Sequence, residues 1–133
     1  MNGTKIMMQY MFLVSSAEEN DGPPPMRLME EMAKLSERAI ANGTMVLNAG
    51  LMPTSQAVRL HLKSGKTIVT DGPFAETKEV IGGFAIMQFP TREAAVASMH
   101  EFMDLHRLYA EGWEGTCEMR QIAAMSEIAS CAA

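Results

Sequence analysis

The chain is poor in several residue types, and each shortage excludes a class of protein. Only two of its 133 residues are cysteine, so a disulfide framework is excluded and a reduced, cytoplasmic setting is expected. Two thiols with no neighbouring pair of histidines predict no metal site, and no motif calls for a cofactor. Aromatic residues make up 6% of the chain whereas fourteen residues are methionine, so thioethers must fill the core or line an adaptable cavity. Core filling is the commoner role.

Positive charge is also scarce. The chain has 11 Lys and Arg against 16 Asp and Glu, a net charge of −5. Nucleic acid and anionic membranes both call for a basic protein surface, so neither is expected as a partner. No apolar run approaches the ~20 residues of a transmembrane helix. The run at residues 6–14 is interrupted by Gln9 and Tyr10, and it predicts a buried strand rather than a signal peptide.

The remaining pattern predicts one domain over residues 1–133, with a core at about 6–122 and a weakly patterned tail at 123–133. Apolar stripes of helical period predict helices at residues 26–42 and 92–109, the second capped by Thr91. Short apolar or alternating runs predict strands at residues 6–14, 44–51, 57–63, 66–70, 83–89 and 116–122.

The predicted order is β-α-β, a hairpin, then β-α-β. This order is typical of an α+β split βαβ arrangement, in which two helices cover one face of an antiparallel sheet. Met, Phe and Ile side chains on the other face would then lack a cover. A second copy of the chain, packed sheet to sheet, is the simplest partner, so a homodimer is expected.

Residues 70–84 read TDGPFAETKEVIGGF and form the densest polar segment of the chain. The segment combines an Asp-Gly-Pro turn, four charged side chains and a Gly-Gly pair between two apolar runs. A structural connection needs the turn residues but not the charges. Because loops carry binding and catalytic residues more often than cores do, this loop is expected to be the functional region.

Residues 70–79, followed by Gly82-Gly83-Phe84, resemble the signature of the DGPF-domain, YCII-related proteins. Further segments agree with that family in the same order: Gly50-Leu51-Met52-Pro53, Leu105-His106-Arg107 and Gly112-Trp113-Glu114-Gly115. The resemblance implies a ferredoxin-like subunit of the dimeric α/β-barrel superfamily, with homodimers whose sheets face each other around a cavity. It implies no single activity.

Relatives in that family use a His-Asp pair, and some act on halogenated or hydroxylated aromatics. The first histidine of this chain is His61, so its N-terminal third holds no histidine. No catalytic dyad is therefore carried over from the family.

Asp71 has two interpretations. Its carboxylate bonds backbone N–H groups and stabilises the turn, which is the common role of Asp in such turns, or it acts as a general base at the mouth of a cavity. A simple hairpin register would place Asp71 on the same face as Val58, Leu60 and Val69, at the edge of the apolar side.

The other candidates are assigned to ligand binding. Lys78 or Arg59 would hold an anionic group and Glu76 would serve as acid or base, although solvated charges are the default for such a loop. Phe74 of the same motif is placed beside them. Gln9 and Gln88 interrupt apolar strands and are candidates for a polar cavity lining. Gly82-Gly83 is interpreted as a packing device or a bulge, since no helix follows it.

Two functions from different classes follow. The first is a small-molecule-binding homodimer with a cavity between facing sheets, non-catalytic or regulatory. The second is a cofactor-independent enzyme, of isomerase or lyase type, that moves a proton on a small aromatic or carboxylate-bearing substrate with Asp71 as the base. A purely structural homodimer would explain the apolar face but not the polar loop.

Overall fold

The computed structural model describes residues 6–18, 23–74, 77–124 and 126–128. Glu76 and Cys131 lie outside the described residues, as do residues 20–22 of the proline-rich loop. The elements follow in the order β1 (Met8–Ser16), α1 (Met26–Ala41), β2 (Met45–Gly50), a 3₁₀ helix (Thr54–Gln56), β3 (Val58–Lys63), β4 (Lys66–Asp71), β5 (Val80–Phe89), α2 (Arg92–Tyr109) and β6 (Gly115–Gln121).

The fold is α+β and antiparallel. Four strands form one sheet in the order β2-β5-β1-β6, and β3 and β4 pair as a separate two-stranded hairpin. With the hairpin set aside, this strand order is compatible with the ferredoxin-like arrangement predicted from the sequence. None of the described helices is long and apolar enough to cross a membrane.

The start of β5 differs from the prediction. The strand begins at Val80 rather than Gly83, and the Gly-Gly pair lies inside it. Val14 pairs with Gly83 and Ser15 with Ile81, so Gly82 is an extra residue in the ladder. The pair is therefore a β-bulge, as one interpretation of the sequence held, and no helix follows it.

The core lies between the sheet and the two helices. Side chains alternate along β1, so Tyr10 and Phe12 point to the helices and are 2% and 5% exposed. Ala39 of α1 and Ala95 of α2 join the same buried cluster, which places both helices on one face of the sheet. Helix α2 begins where expected, because the Oγ1 of Thr91 accepts a hydrogen bond from the N–H of Ala94 at 3.1 Å.

The buried stripe of α1 is narrower than its sequence predicted. Its sequence places Leu28, Met29, Ala39 and Ile40 on one apolar stripe. Leu28 and Ala39 are buried, whereas Met29 and Ile40 are 52% and 62% exposed. Each residue turns the helix by about 100°, so a residue that directly follows a buried one lies well to the side of the buried line.

The opposite face of the sheet is apolar and is not covered by the helices. We call it the outer face. Met11 pairs with Ile86 and Leu13 with Phe84, and these side chains alternate away from the helices. Their neighbour Leu47 on the edge strand is half exposed. The outer face therefore carries an apolar patch on β1, β5 and β2, bordered on β6 by the exposed charged pair Glu118 and Arg120, which lie opposite Leu13 and Met11.

Candidate functional site

The Asp-Gly-Pro-Phe turn lies directly after β4 and packs against the 3₁₀ helix. The N–H of Gly72 donates to the carbonyl oxygen of Ala57 at 2.9 Å, and the peptide bond between Gly72 and Pro73 is cis. A Cβ at position 72 would overlap the backbone carbonyl of Thr54. Glycine is required there because the two backbones approach so closely.

Glu18 holds the 3₁₀ helix from its other side. Its carboxylate accepts hydrogen bonds from the hydroxyl of Thr54 and from the backbone N–H of Thr54, the second at 2.8 Å. The side-chain bond is the main cause that lowers the pKa of Glu18 below its usual 4.5, and the backbone bond adds to it. Sequence reasoning missed this contact because the two residues lie 36 positions apart.

Arg59 and Phe74 join the hairpin to the turn. The Cζ of Arg59 lies 3.6 Å from the centre of the Phe74 ring, and the ring is 9% exposed. The Nη2 of Arg59 donates to the hydroxyl of Thr77 at 3.2 Å. A guanidinium stacked on an aromatic face and hydrogen-bonded at its edge has a restricted orientation. The structure thus brings together two of the predicted ligand-binding residues, with Phe74 beneath Arg59.

Asp71 points the other way from Arg59. Asp71 pairs across the hairpin with Val58, and Arg59 pairs with Thr70, so their side chains emerge on opposite faces. The predicted register is confirmed, since Leu60 and Val69 also pair and share the face of Asp71. The carboxylate is exposed at the edge of an apolar hairpin face.

The remaining predicted residues lie apart from this turn. Lys78 is exposed and Glu76 is outside the described residues. Gln9 and Gln88 pair across β1 and β5 at the far end of the sheet. Gln88 lies seven residues along β5 from Ile81, which is near the start of the strand, so the two positions are roughly 23 Å apart at ~3.3 Å per residue. The Nε2 of Gln88 donates to the carbonyl of Gly43 at 2.9 Å, so this amide also ties β5 to the turn after α1.

A cavity of about 490 Å³ lies between the helices and the inner face of the sheet. We call it the helix–sheet cavity. Its mouth lies mostly between α1 and β2, where its lining residues Met29 and Asn48 are exposed and the Nδ2 of Asn48 donates to the Oγ of Ser36 at 3.3 Å. Sequence reasoning noted the many methionines, but favoured core filling over a binding surface. The deeper lining includes Met32, Met45, Met87, Met99, Phe102 and His106.

His106 is a buried polar residue in the last turn of α2. Its ring lies between Phe102 and Trp113, with ring centres 4.7 and 4.4 Å away. Its Nδ1 lies 3.1 Å from the carbonyl oxygen of Phe102. His106 lines both the helix–sheet cavity and a second pocket of about 390 Å³ formed with Pro23, Leu28 and Trp113.

The chemistry that these groups allow is limited. Within the described residues, no three His, Cys, Asp or Glu side chains come close enough together to hold a metal ion. Cys117 is a free thiol that lines the helix–sheet cavity, and burial raises its pKa, so it stays protonated at neutral pH. Neither the helix–sheet cavity nor the second pocket is lined by Asp71.

Comparison with known proteins agrees with the sequence motif and the fold. The chain is 34% identical over 99 residues to an uncharacterized protein of Rhizobium meliloti (strain 1021), covering 73% of this chain and 74% of that protein. The family model of the YCII-related domain matches residues 8–125, which include the hairpin, the Asp-Gly-Pro-Phe turn and both helices. The chain therefore belongs to the YCII-related family.

Proposed function

We propose that this protein is a non-catalytic or regulatory homodimer that binds a small molecule in a cavity between facing sheets, in the manner of a dimeric α/β barrel. In each copy the outer face of the sheet and the apolar face of the hairpin would turn toward the partner. The cavity would lie between the two outer faces, on the opposite side of the sheet from the helices.

The exposed apolar surface is the observation that carries the dimer. On the hairpin Val58, Leu60, Leu62 and Val69 share one face and are 63–75% exposed. Soluble monomers rarely expose contiguous apolar patches above a few hundred Å², and larger patches mark interaction sites. When the same face of two copies packs together, one contact buries the apolar surface of both molecules, which favours a two-fold homodimer.

The polar groups around this surface favour an acidic ligand. Arg59 emerges on the hairpin face opposite to Val58 and Leu60, so it would reach the ligand from the rim of the cavity, beside the Asp-Gly-Pro-Phe turn. Phe74 and Thr77 restrict its orientation, and a planar guanidinium can bind a carboxylate with two parallel hydrogen bonds. Gln9 and Gln88 form a polar pair on the outer face and would line the same cavity from the far end of the partner's sheet. We therefore expect a small aromatic or carboxylate-bearing ligand.

Benzoate is a suitable probe of this expectation. It should raise the melting temperature of the native protein in a concentration-dependent way, because a ligand that binds only the folded state stabilises it. Arg59→Lys keeps the charge but loses the planar fork, and should weaken benzoate binding about tenfold. Lys63→Arg, on the same hairpin face, is the matched control. An unchanged response in Arg59→Lys would remove Arg59 from the site.

The surroundings of Asp71 support a non-catalytic role for this residue. The neighbours of Asp71 on its hairpin face, Val58, Leu60 and Val69, are all apolar. A general base acts on a bound substrate together with groups that orient that substrate or stabilise its charge. The described part of one protomer offers no second titratable side chain on that face of the hairpin.

The alternative is a cofactor-independent enzyme with Asp71 as the base. One observation favours it: Asp71 lies on the hairpin face that a second copy would cover, where a carboxylate could be enclosed with a ligand. Asp71→Asn separates the two functions. A binding protein should keep its benzoate response in this variant. If the native protein instead catalyses proton exchange on a substrate, and benzoate inhibits that exchange, its loss in Asp71→Asn would support catalysis.

The dimer is tested by sedimentation at several protein concentrations. The native protein should sediment at twice the chain mass of 14.6 kDa. Leu47→Glu should raise the dissociation constant at least about 100-fold, because it places an unpaired charge in an apolar interface. Ile40→Glu is the matched control, since Ile40 is 62% exposed on the helix side and Leu47 is 50% exposed on the outer face. A native monomer, or dissociation caused equally by both variants, would refute this interface.

A further inference from the structure

We propose that the helix–sheet cavity is a second binding site, for a neutral, mostly apolar small molecule that carries one N–H or O–H donor anchored by His106. The cavity lies on the inner face of the sheet, so this proposal does not rest on the dimer or on its ligand.

The size and lining of the cavity indicate the class of ligand. A volume of about 490 Å³ lies within the ~300–1,000 Å³ range of small-molecule pockets. Met32, Met45, Met87 and Met99 contribute flexible thioethers to its wall, which adapt to the shape of a ligand and make favourable contacts with aromatic rings. No Asp, Glu, Lys or Arg of the described residues lines it, which favours an uncharged ligand.

The polar groups of the wall are mostly engaged with one another. Ser36 and Asn48 hydrogen-bond to each other at the mouth, and the hydroxyl of Ser98 lies 4.0 Å from the sulfur of Met87. Cys117 is a protonated thiol, which is a weak hydrogen-bonding group. His106 is the polar side chain best suited to fix the orientation of a ligand.

The hydrogen bonding of His106 sets the polarity of that anchor. A carbonyl oxygen only accepts hydrogen bonds, so the Nδ1 that lies 3.1 Å from the carbonyl of Phe102 carries the proton. In the neutral ring Nε2 is then an acceptor. Stacking between Phe102 and Trp113 fixes the plane of the ring. The cavity should therefore prefer a ligand that donates a hydrogen bond over one of the same shape that cannot.

Indole and benzothiophene test this preference, because the two have similar shape and only indole has an N–H donor. We label the protein at the methionine methyl carbons and add indole or benzothiophene. Binding should shift the NMR signals of Met32, Met45, Met87 and Met99. Met26 and Met52 are 77% and 70% exposed and should not move. Indole should bind about tenfold more tightly than benzothiophene, the ratio expected for one hydrogen bond.

His106→Phe keeps an aromatic ring between Phe102 and Trp113 and should bring the two affinities to within about twofold of each other, with the loss falling on indole. His100→Phe, at an exposed position of the same helix, is the matched control and should retain the preference. The comparison in native protein does not depend on the folding of either variant. Equal affinities there would overturn the anchor, and shifts confined to Met11 on the outer face would overturn the site.

Discussion

Single residues hold the Asp-Gly-Pro-Phe turn in place. Gly72 allows the backbone of the turn to approach that of Thr54, and Glu18 binds Thr54 from the other side. Neither contact involves a group that would touch the proposed ligands. Part of the signature motif is thus explained by packing, and the charge of the loop is weaker evidence for catalysis than the sequence alone suggested.

Substitution of Gly72 should show how tight this packing is. Gly72→Ala should lower the free energy of unfolding by at least about 2 kcal/mol, because the new Cβ overlaps backbone atoms that cannot move aside as a side chain would. Urea unfolding followed by circular dichroism measures the change. Gly82→Ala is the control, since a Cβ there meets nothing within 4 Å. Equal stability of the two variants would contradict the close approach.

Glu18 should give stability a specific pH dependence. Its pKa is lowered in the folded protein, chiefly by the Thr54 hydroxyl. The contact therefore contributes fully above the ordinary pKa of 4.5, and its contribution is lost as the pH falls through the lowered value. The difference in unfolding free energy between the native protein and Glu18→Gln should be larger at pH 7 than at pH 3.

Thr54→Val tests the cause of that dependence. It removes the hydroxyl and leaves the backbone N–H, so the pKa of Glu18 should rise toward 4.5 and the pH-dependent part of the stability should shrink. NMR titration of the Glu18 carboxyl carbon measures the pKa directly. A Glu18 pKa that is the same in both proteins would show that the hydroxyl is not the main cause.

Among the elements, the hairpin is the least integrated. Strands β3 and β4 pair only with each other in the described sheets, and their side chains are almost all exposed. The stack of Arg59 on Phe74 and the bond to Thr77 attach it to the segment that follows, and the bond from Gly72 to Ala57 closes its base. A surface element with few buried contacts opens locally at low free energy.

Hydrogen exchange should detect this attachment. Arg59→Gln should weaken the protection of amides in β3 and β4 by about fivefold to thirtyfold, the range expected for a cation–π contact of ~1–2 kcal/mol, and should leave β1 and β5 unchanged. Lys63→Gln, at the far end of the same hairpin face, should have no effect on either set. Equal protection of the hairpin in Arg59→Gln and the native protein would show that the stack adds nothing.

For the whole molecule, the central fact is that two helices cover one face of the sheet and leave an apolar patch on the other face uncovered. The inner face buries Tyr10, Phe12 and Met87, while Leu47 and Ile81 on the outer face are about half exposed. The two faces are expected to have different partners. A second copy is proposed for the outer face, and a small neutral molecule is proposed for the cavity beneath the helices.

Stability should therefore depend on protein concentration. A dimer that dissociates on unfolding melts at a higher temperature when it is more concentrated, whereas a monomer does not. Leu60→Glu should remove this dependence, because the charge lies on the hairpin face that the partner would cover. Ile40→Glu should preserve it, since Ile40 is similarly exposed on the helix side. A melting temperature of the native protein that is constant over a hundredfold range of concentration would contradict the dimer.

Much of the fold followed from local pattern. The helix stripes, the cap at Thr91 and the hairpin of β3 and β4 each depend on residues close in sequence, and the elements lie within three residues of their predicted ends. The register of the hairpin also followed, because a two-residue turn determines which residues pair. The strand that departed most was β5, where a bulge absorbed Gly82 and extended the strand toward Val80.

The sequence by itself determined the order of elements, the family and the apolar character of the outer face, because periodicity and motif are local properties. Only the tertiary structure stacked Arg59 on Phe74 and bonded it to Thr77. It alone brought Glu18 to Thr54 and left a cavity beside His106. Those features depend on the distances between packed layers, which are set by all the side chains of the core together and by no single segment.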